Sequence, residues 1–140
     1  MSSDEVRVRI LSDDDIVTAR QEGRRLSAGL GFSSTDLTLI ATAISEIARN
    51  IRLFAGEGNV QIKRVEDAGR EGIVVVARDK GPGISDVERA MQDGYSTRGS
   101  FGLGLPGARR LMDEFDIRSK PGSGVTVTMK KWTVGGLSRT

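Results

Sequence analysis

Glu46 and Asn50 stand four residues apart in Ile44-Ser45-Glu46-Ile47-Ala48-Arg49-Asn50. On a helix that spacing puts both side chains on one face. A carboxylate and an amide aligned in this way offer oxygen ligands to a hard cation such as Mg2+, and a base for a hydroxyl. Arg49, between them, could meet a phosphate or simply pair with a neighbouring acid. A second candidate is Ile73-Val74-Val75-Val76-Ala77-Arg78-Asp79-Lys80-Gly81-Pro82-Gly83-Ile84. Its apolar start reads as a buried strand that delivers Asp79 to the strand end. The glycines that follow let the backbone come close to a flat, donor-bearing ring such as adenine. Taken alone, the segment reads more readily as an ordinary Gly-Pro-Gly turn after a core strand.

A third candidate is Tyr95-Ser96-Thr97-Arg98-Gly99-Ser100-Phe101-Gly102-Leu103-Gly104-Leu105-Pro106-Gly107. Glycines run into a helix start, where free N–H groups and partial positive charge suit a phosphate. Arg98 could add a guanidinium to the same anion. No Gly-Lys-Ser/Thr follows, so this is not a Walker loop. The other reading is a plain loop before a helix. Fourth, Gly124 precedes Thr126 and Thr128 in an alternating strand. One threonine could turn inward and reach, through water, a ligand held by Asp79; each alone reads more readily as a β-former with no ligand.

The elements that must position these residues follow from periodicity and punctuation. Residues 6–10 alternate apolar and basic, as a half-exposed strand does. Asp13, Asp14 and Asp15 open a helix to about residue 30. Ser33 and Asp36 resemble a capping box for a second helix to about residue 55, with Leu37, Ile40, Ile44, Ile47 and Ile51 facing the core. Strands are expected at 60–65 and 73–76, joined by a hairpin at Asp67-Ala68-Gly69-Arg70. A short helix fits 85–91, a loop 94–102 and a helix 103–114. Strands at 115–119 and 125–129 complete the series. Residues 1–133 read as one domain and 134–140 as a fraying tail. With no strict βαβ rhythm and with hairpins at the end, the expected class is α+β: a two-layer α/β sandwich, its sheet mostly antiparallel with helices on one face.

Composition narrows the chemistry. The 140 residues include no cysteine and no histidine. That removes disulfides, thiolate and imidazole metal sites, thiol nucleophiles and Ser-His-Asp catalysis, and it suits a reducing, cytoplasmic setting. Basic and acidic side chains number 21 and 19, a near-balance that gives no reason to expect nucleic acid. No apolar run is long enough to span a membrane. Carboxylates, amides, arginines, hydroxyls and a hard metal remain.

The order of the segments matters more than any one of them. A Glu-x-x-x-Asn helix, Asp-x-Gly-x-Gly after a strand, Gly-x-Gly-Leu before a helix, then a glycine-threonine strand: this resembles the GHKL ATPase family over nearly the whole chain. Ala43 to Asn50, Asp93-Gly94-Tyr95-Ser96-Thr97 and Gly104-Leu105-Pro106-Gly107-Ala108-Arg109-Arg110-Leu111-Met112-Asp113-Glu114-Phe115 are most similar to its anti-sigma-factor kinases and the switch kinases of the bacterial stressosome. The resemblance implies a Bergerat-type sandwich that binds ATP and Mg2+. Asp79 would accept from the adenine amino group, with Gly81, Gly83 and Ile84 giving the ring room. Asn50 would bind the Mg2+ that bridges the phosphates. Gly102, Leu103, Gly104 and Leu105 would present donors to phosphate, with Arg98 and Arg49 as candidate cations and Thr126 or Thr128 near the nucleotide. Glu46 would orient or deprotonate the attacking hydroxyl. The implied acceptor is a serine or threonine of a STAS-domain protein, and the freed kinase would activate a downstream phosphatase. The competing expectation is a nucleotide-gated anti-sigma or phosphatase-activating binding module with little kinase output; a water-hydrolysing ATPase is a third. In either leading case neither nucleic acid nor a membrane is an expected partner.

Overall fold

The computed structural model describes residues 4–81, 104–120 and 122–133. Within them the chain runs β1 (Glu5–Ile10), α1 (Asp13–Ala28), α2 (Ser34–Phe54), β2 (Gly58–Asp67), β3 (Arg70–Asp79), α3 (Gly104–Leu111), β4 (Glu114–Lys120) and β5 (Gly124–Trp132). The five strands form one sheet in the order β1-β2-β3-β5-β4, and every pairing is antiparallel. The helices cover one face, as expected of the two-layer sandwich. Gly83, Ile84, Arg98, Gly102 and Leu103, the expected helix at 85–91, the loop at 94–102 and the tail at 134–140 lie outside the described residues.

Capping sets the helix starts. Ser12 precedes α1, and Asp15 reaches back to the Ser12 N–H at 3.0 Å and to the Leu11 N–H at 2.8 Å. The Leu11 bond is the largest cause holding the Asp15 carboxyl below its ordinary range. Ser33 accepts from the Asp36 N–H at 3.0 Å and so caps α2. Inside α2, Ile40, Ile44, Ile47 and Ile51 are buried against the sheet, while Leu37 is only partly covered at the edge of the core.

Strands β2 and β3 run well past the apolar stretches that signal them, because ladder bonding continues into the hairpin. The turn explains the register. Ala68 and Gly69 take φ of 54° and 82°, the paired positive values of a type I′ turn. α3 ends at Leu111, sooner than its sequence pattern suggests. Lys131 donates to the Leu111 carbonyl at 2.9 Å, and the Asp113 N–H already bonds β5 at the Lys130 carbonyl, also at 2.9 Å.

β5 alternates without interruption. Val125, Val127 and Met129 are buried on the helix side, and Thr126 and Thr128 are half-exposed on the bare side. At its start, Gly124 adopts φ 88° directly against the Asp79 backbone. An added Cβ there would meet the Asp79 carbonyl as well as the unfavourable φ. Gly124→Ala is therefore expected to cost about 2–3 kcal/mol of stability. Urea unfolding checks this; an unchanged midpoint would show that the β3–β5 joint tolerates the group.

Candidate functional site

α2 carries Glu46 and Asn50 at i and i+4, and each is only 8% exposed. The expected shared face is present, and it is covered. α2 packs on the sheet through its isoleucines and on α3 through its flank. A buried carboxylate needs partners for its oxygens. The N–H of Gly104, the first residue of α3, donates to Glu46 Oε1 at 3.1 Å. Arg49 Nη1 donates to Glu46 Oε2 at 3.2 Å. Glu46 thus ties the glycine-rich helix start to α2. Gly104 holds φ 60°, a conformation that favours glycine.

Asn50 makes no side-chain hydrogen bond among the described residues. A buried amide in that state has capacity for a ligand. Arg49 engages Glu46 on one side; on the other it lines a cleft of about 450 Å³ between α1 and α2 with Arg20, Arg52 and Val17.

Asp79 ends β3 on the helix side of the sheet, 9% exposed. Its Oδ1 accepts twice from the main chain, from the Gly81 N–H at 2.9 Å and the Val125 N–H at 3.3 Å. Oδ2 has no partner among the described residues. The carboxylate is therefore locked in rotation with one acceptor oxygen left over. Gly81 lies against the end of α2: a Cβ on it would come within 2.6 Å of the Ala55 Cβ. The turn after β3 and the last turn of α2 are in contact for that reason.

The structure brings together Glu46, Arg49 and Gly104 at one point of α2. It sets Asn50 one turn further on and Asp79 with Gly81 at the C-terminal end. Leu105 is buried in the first turn of α3. The expectation that Thr126 or Thr128 turns inward is corrected. Strand alternation places both on the sheet face away from Glu46, Asn50 and Asp79, because the inward positions of β5 are Val125 and Val127. The group that β5 delivers to Asp79 is the Val125 N–H. Side-chain reasoning missed it because a main-chain donor has no sequence signature; only the glycine before it hints at a close approach.

Among the described residues no helix is long and apolar enough to cross a membrane.

Comparison with known proteins adds the following. Residues 11–131 match the family model described as Histidine kinase-like ATPase domain. The chain is 49% identical over 93% of its length, and 98% of the relative's, to the serine/threonine-protein kinase RsbT of Bacillus subtilis (strain 168). It is 32% identical over 81% of its length, and 82% of the relative's, to the anti-sigma F factor of Caldanaerobacter subterraneus subsp. tengcongensis. The solved structure of the RsbU and RsbW domains of a Mycobacterium tuberculosis protein superposes with a TM-score of 0.58. It covers 91% of this chain and 31% of that one at 20% identity, a likeness of fold.

Proposed function

The chain belongs to the histidine kinase-like ATPase family, and from that premise we propose that it is an ATP-dependent protein serine/threonine kinase that modifies a STAS-domain partner in the cytoplasm and regulates by exchanging partners. The observation that carries this reading is the order of groups along α2. Asp79, with its spare oxygen, accepts from Gly81, and Gly81 lies against Ala55 at the end of α2. Asn50 follows, and Glu46 with the α3 start comes last. From residue 55 to residue 46 a helix advances about 13 Å. That is the scale of an extended nucleoside triphosphate laid along the helix, ring at Asp79 and γ-phosphate near Glu46.

Each residue then has a part. Asp79 Oδ2 accepts from the adenine amino group, and its two main-chain donors keep it aimed. Gly81 leaves space beside the ring. At the N-terminus of α3 the Gly104 N–H is taken by Glu46, so the Leu105 N–H is the donor left there for phosphate. Asn50 would hold Mg2+, which supplies charge neutralisation on the phosphates when bound. Among the described residues no cluster of three acids could bind a metal unaided, so phosphate oxygens and water would complete the shell. Glu46 takes the proton of the acceptor hydroxyl and aligns it. Phosphoryl transfer asks the protein mainly for positioning and charge stabilisation, and buried, doubly bonded groups suit that task. Release from a STAS-domain partner would free the kinase to engage a downstream phosphatase.

Incubation with Mg-ATP and a STAS-domain protein, read by phosphosite mass spectrometry, tests the reading. The expected product is one phosphoserine or phosphothreonine on the partner. Free phosphate without a modified partner would sink the kinase reading in favour of hydrolysis. Nucleotide-dependent association without transfer would favour the binding module.

A further inference from the structure

We propose that the helix-free face of the sheet is a docking surface for an acidic amphipathic helix of a partner protein, seated at the Asp79 end. This face lies opposite the groups assigned to nucleotide and does not depend on that assignment.

The register defines the surface. One row across the sheet reads Arg9, Asn59, Arg78, Thr126, Arg118. Arg9, Arg78 and Lys80 are exposed, and none has an ion-pair partner among the described residues. They line a cleft of about 430 Å³ together with Leu11 and Asn59. Glu57 is the acid of that cleft besides Asp79, whose carboxylate is held on the other side by Gly81 and Val125. Unpaired cations gathered in one concavity select an anion.

Toward β4 and the β2–β3 hairpin the cations of this face are paired. Arg118 pairs with Asp116 at 3.0 Å, Lys130 with Glu114 at 3.8 Å and Arg70 with Asp67 at 3.9 Å. Unpaired positive charge therefore lies on the β1–β2 side, where Arg7 and Lys63 are also exposed with no ion-pair partner among the described residues, and Arg9, Arg78 and Lys80 gather it into one cleft next to Asp79. Apolar surface lies beside it. Val74 and Val76 are half-buried on the bare face, and Leu11 is 46% exposed. The Asn59 Oδ1 is buried with no hydrogen-bond partner, so an occupant would also need to offer a donor.

Spacing selects a helix. Arg9 and Arg78 sit on strands two apart, about 10 Å at the usual strand separation. A helix advances about 10.5 Å over seven residues. Carboxylates seven residues apart on one helix edge would meet both guanidiniums, while the neighbouring apolar edge covers Val76, two residues along β3 from Arg78. The helix would lie across the strands and give the sheet a second covering layer at this end, as helices do on both faces of α/β sheets.

Anisotropy of a labelled synthetic amphipathic helix, with glutamates seven apart on one edge and leucines on the next, tests this on the full chain. Binding that weakens with salt is expected, and so is at least roughly tenfold loss in the Arg9→Glu/Arg78→Glu double variant. Arg9→Gln/Arg78→Gln should lose less. Arg24→Glu, on the exposed side of α1, should lose nothing. Circular dichroism confirms that the variants are folded. Four results would overturn the proposal: no binding; equal binding of a lysine version of the peptide; affinity untouched by the charge reversals; or tighter capture of duplex DNA through the same arginines. Concentration-dependent self-association abolished by those reversals would also overturn it, because the occupant would then be a second copy.

Discussion

Glu46→Gln is expected to leave ATP binding in place and to slow phosphoryl transfer at least about 100-fold, the scale of general-base catalysis. The choice of glutamine follows from the geometry. Its amide oxygen can still accept from the Gly104 N–H, so the bond between α2 and α3 survives. What disappears is the negative charge, the capacity to take a proton and the acceptor for Arg49 Nη1, a half-exposed side chain that can turn to solvent. Glu46→Ala is a blunter probe. It strips partners from both the Gly104 N–H and Arg49 Nη1, which should lower stability by about 1–3 kcal/mol and confuse a catalytic loss with a structural one. Single-turnover transfer to the STAS-domain acceptor, with nucleotide affinity measured alongside, separates the two. Undiminished transfer by the glutamine variant would remove the base role from Glu46.

Asp79→Asn should act at the other end and on binding instead of chemistry. Oδ1 already accepts from Gly81 and Val125, and the asparagine oxygen can keep both bonds. The amide nitrogen then replaces Oδ2 and points a donor at the adenine amino group. Two donors facing each other should weaken ATP binding by about 2–4 kcal/mol, roughly 30- to 1,000-fold. The same swap makes a specific forecast. A purine with an oxygen in place of the amino group should suffer less, so the preference for ATP over ITP should shrink or invert. Calorimetry with both nucleotides decides it. A variant that binds ATP like the parent would mean that Asp79 does not read the ring.

Much of this was legible in the residues, for identifiable reasons. The isoleucine period in α2 announced the helix and its buried face, and Ser33 announced its start. The Ala68-Gly69 turn announced the hairpin. Glu46, Asn50 and Asp79 could be singled out because few other chemistries survive without cysteine or histidine. Two things could not be read. The burial of Glu46 depends on α3 arriving beside α2, a tertiary event with no local signal. The face of Thr126 depends on the β3–β5 register, where a one-residue offset exchanges inside and outside. The motif suggested a threonine at the nucleotide; the register delivers a backbone N–H from Val125 instead.

That substitution of main chain for side chain bears on how such a site can drift over evolutionary time. Both donors that aim Asp79 are peptide N–H groups, at Gly81 and Val125. A side-chain change at position 125 leaves its N–H where the strand puts it, provided the new residue still fits the core. The end proposed to read the ring is thus encoded by one carboxylate, two glycines whose Cβ positions are already taken, and the fold itself. A recognition site with so small a side-chain vocabulary can outlast extensive sequence change around it, and its loss would show first in Asp79, Gly81 or Gly124.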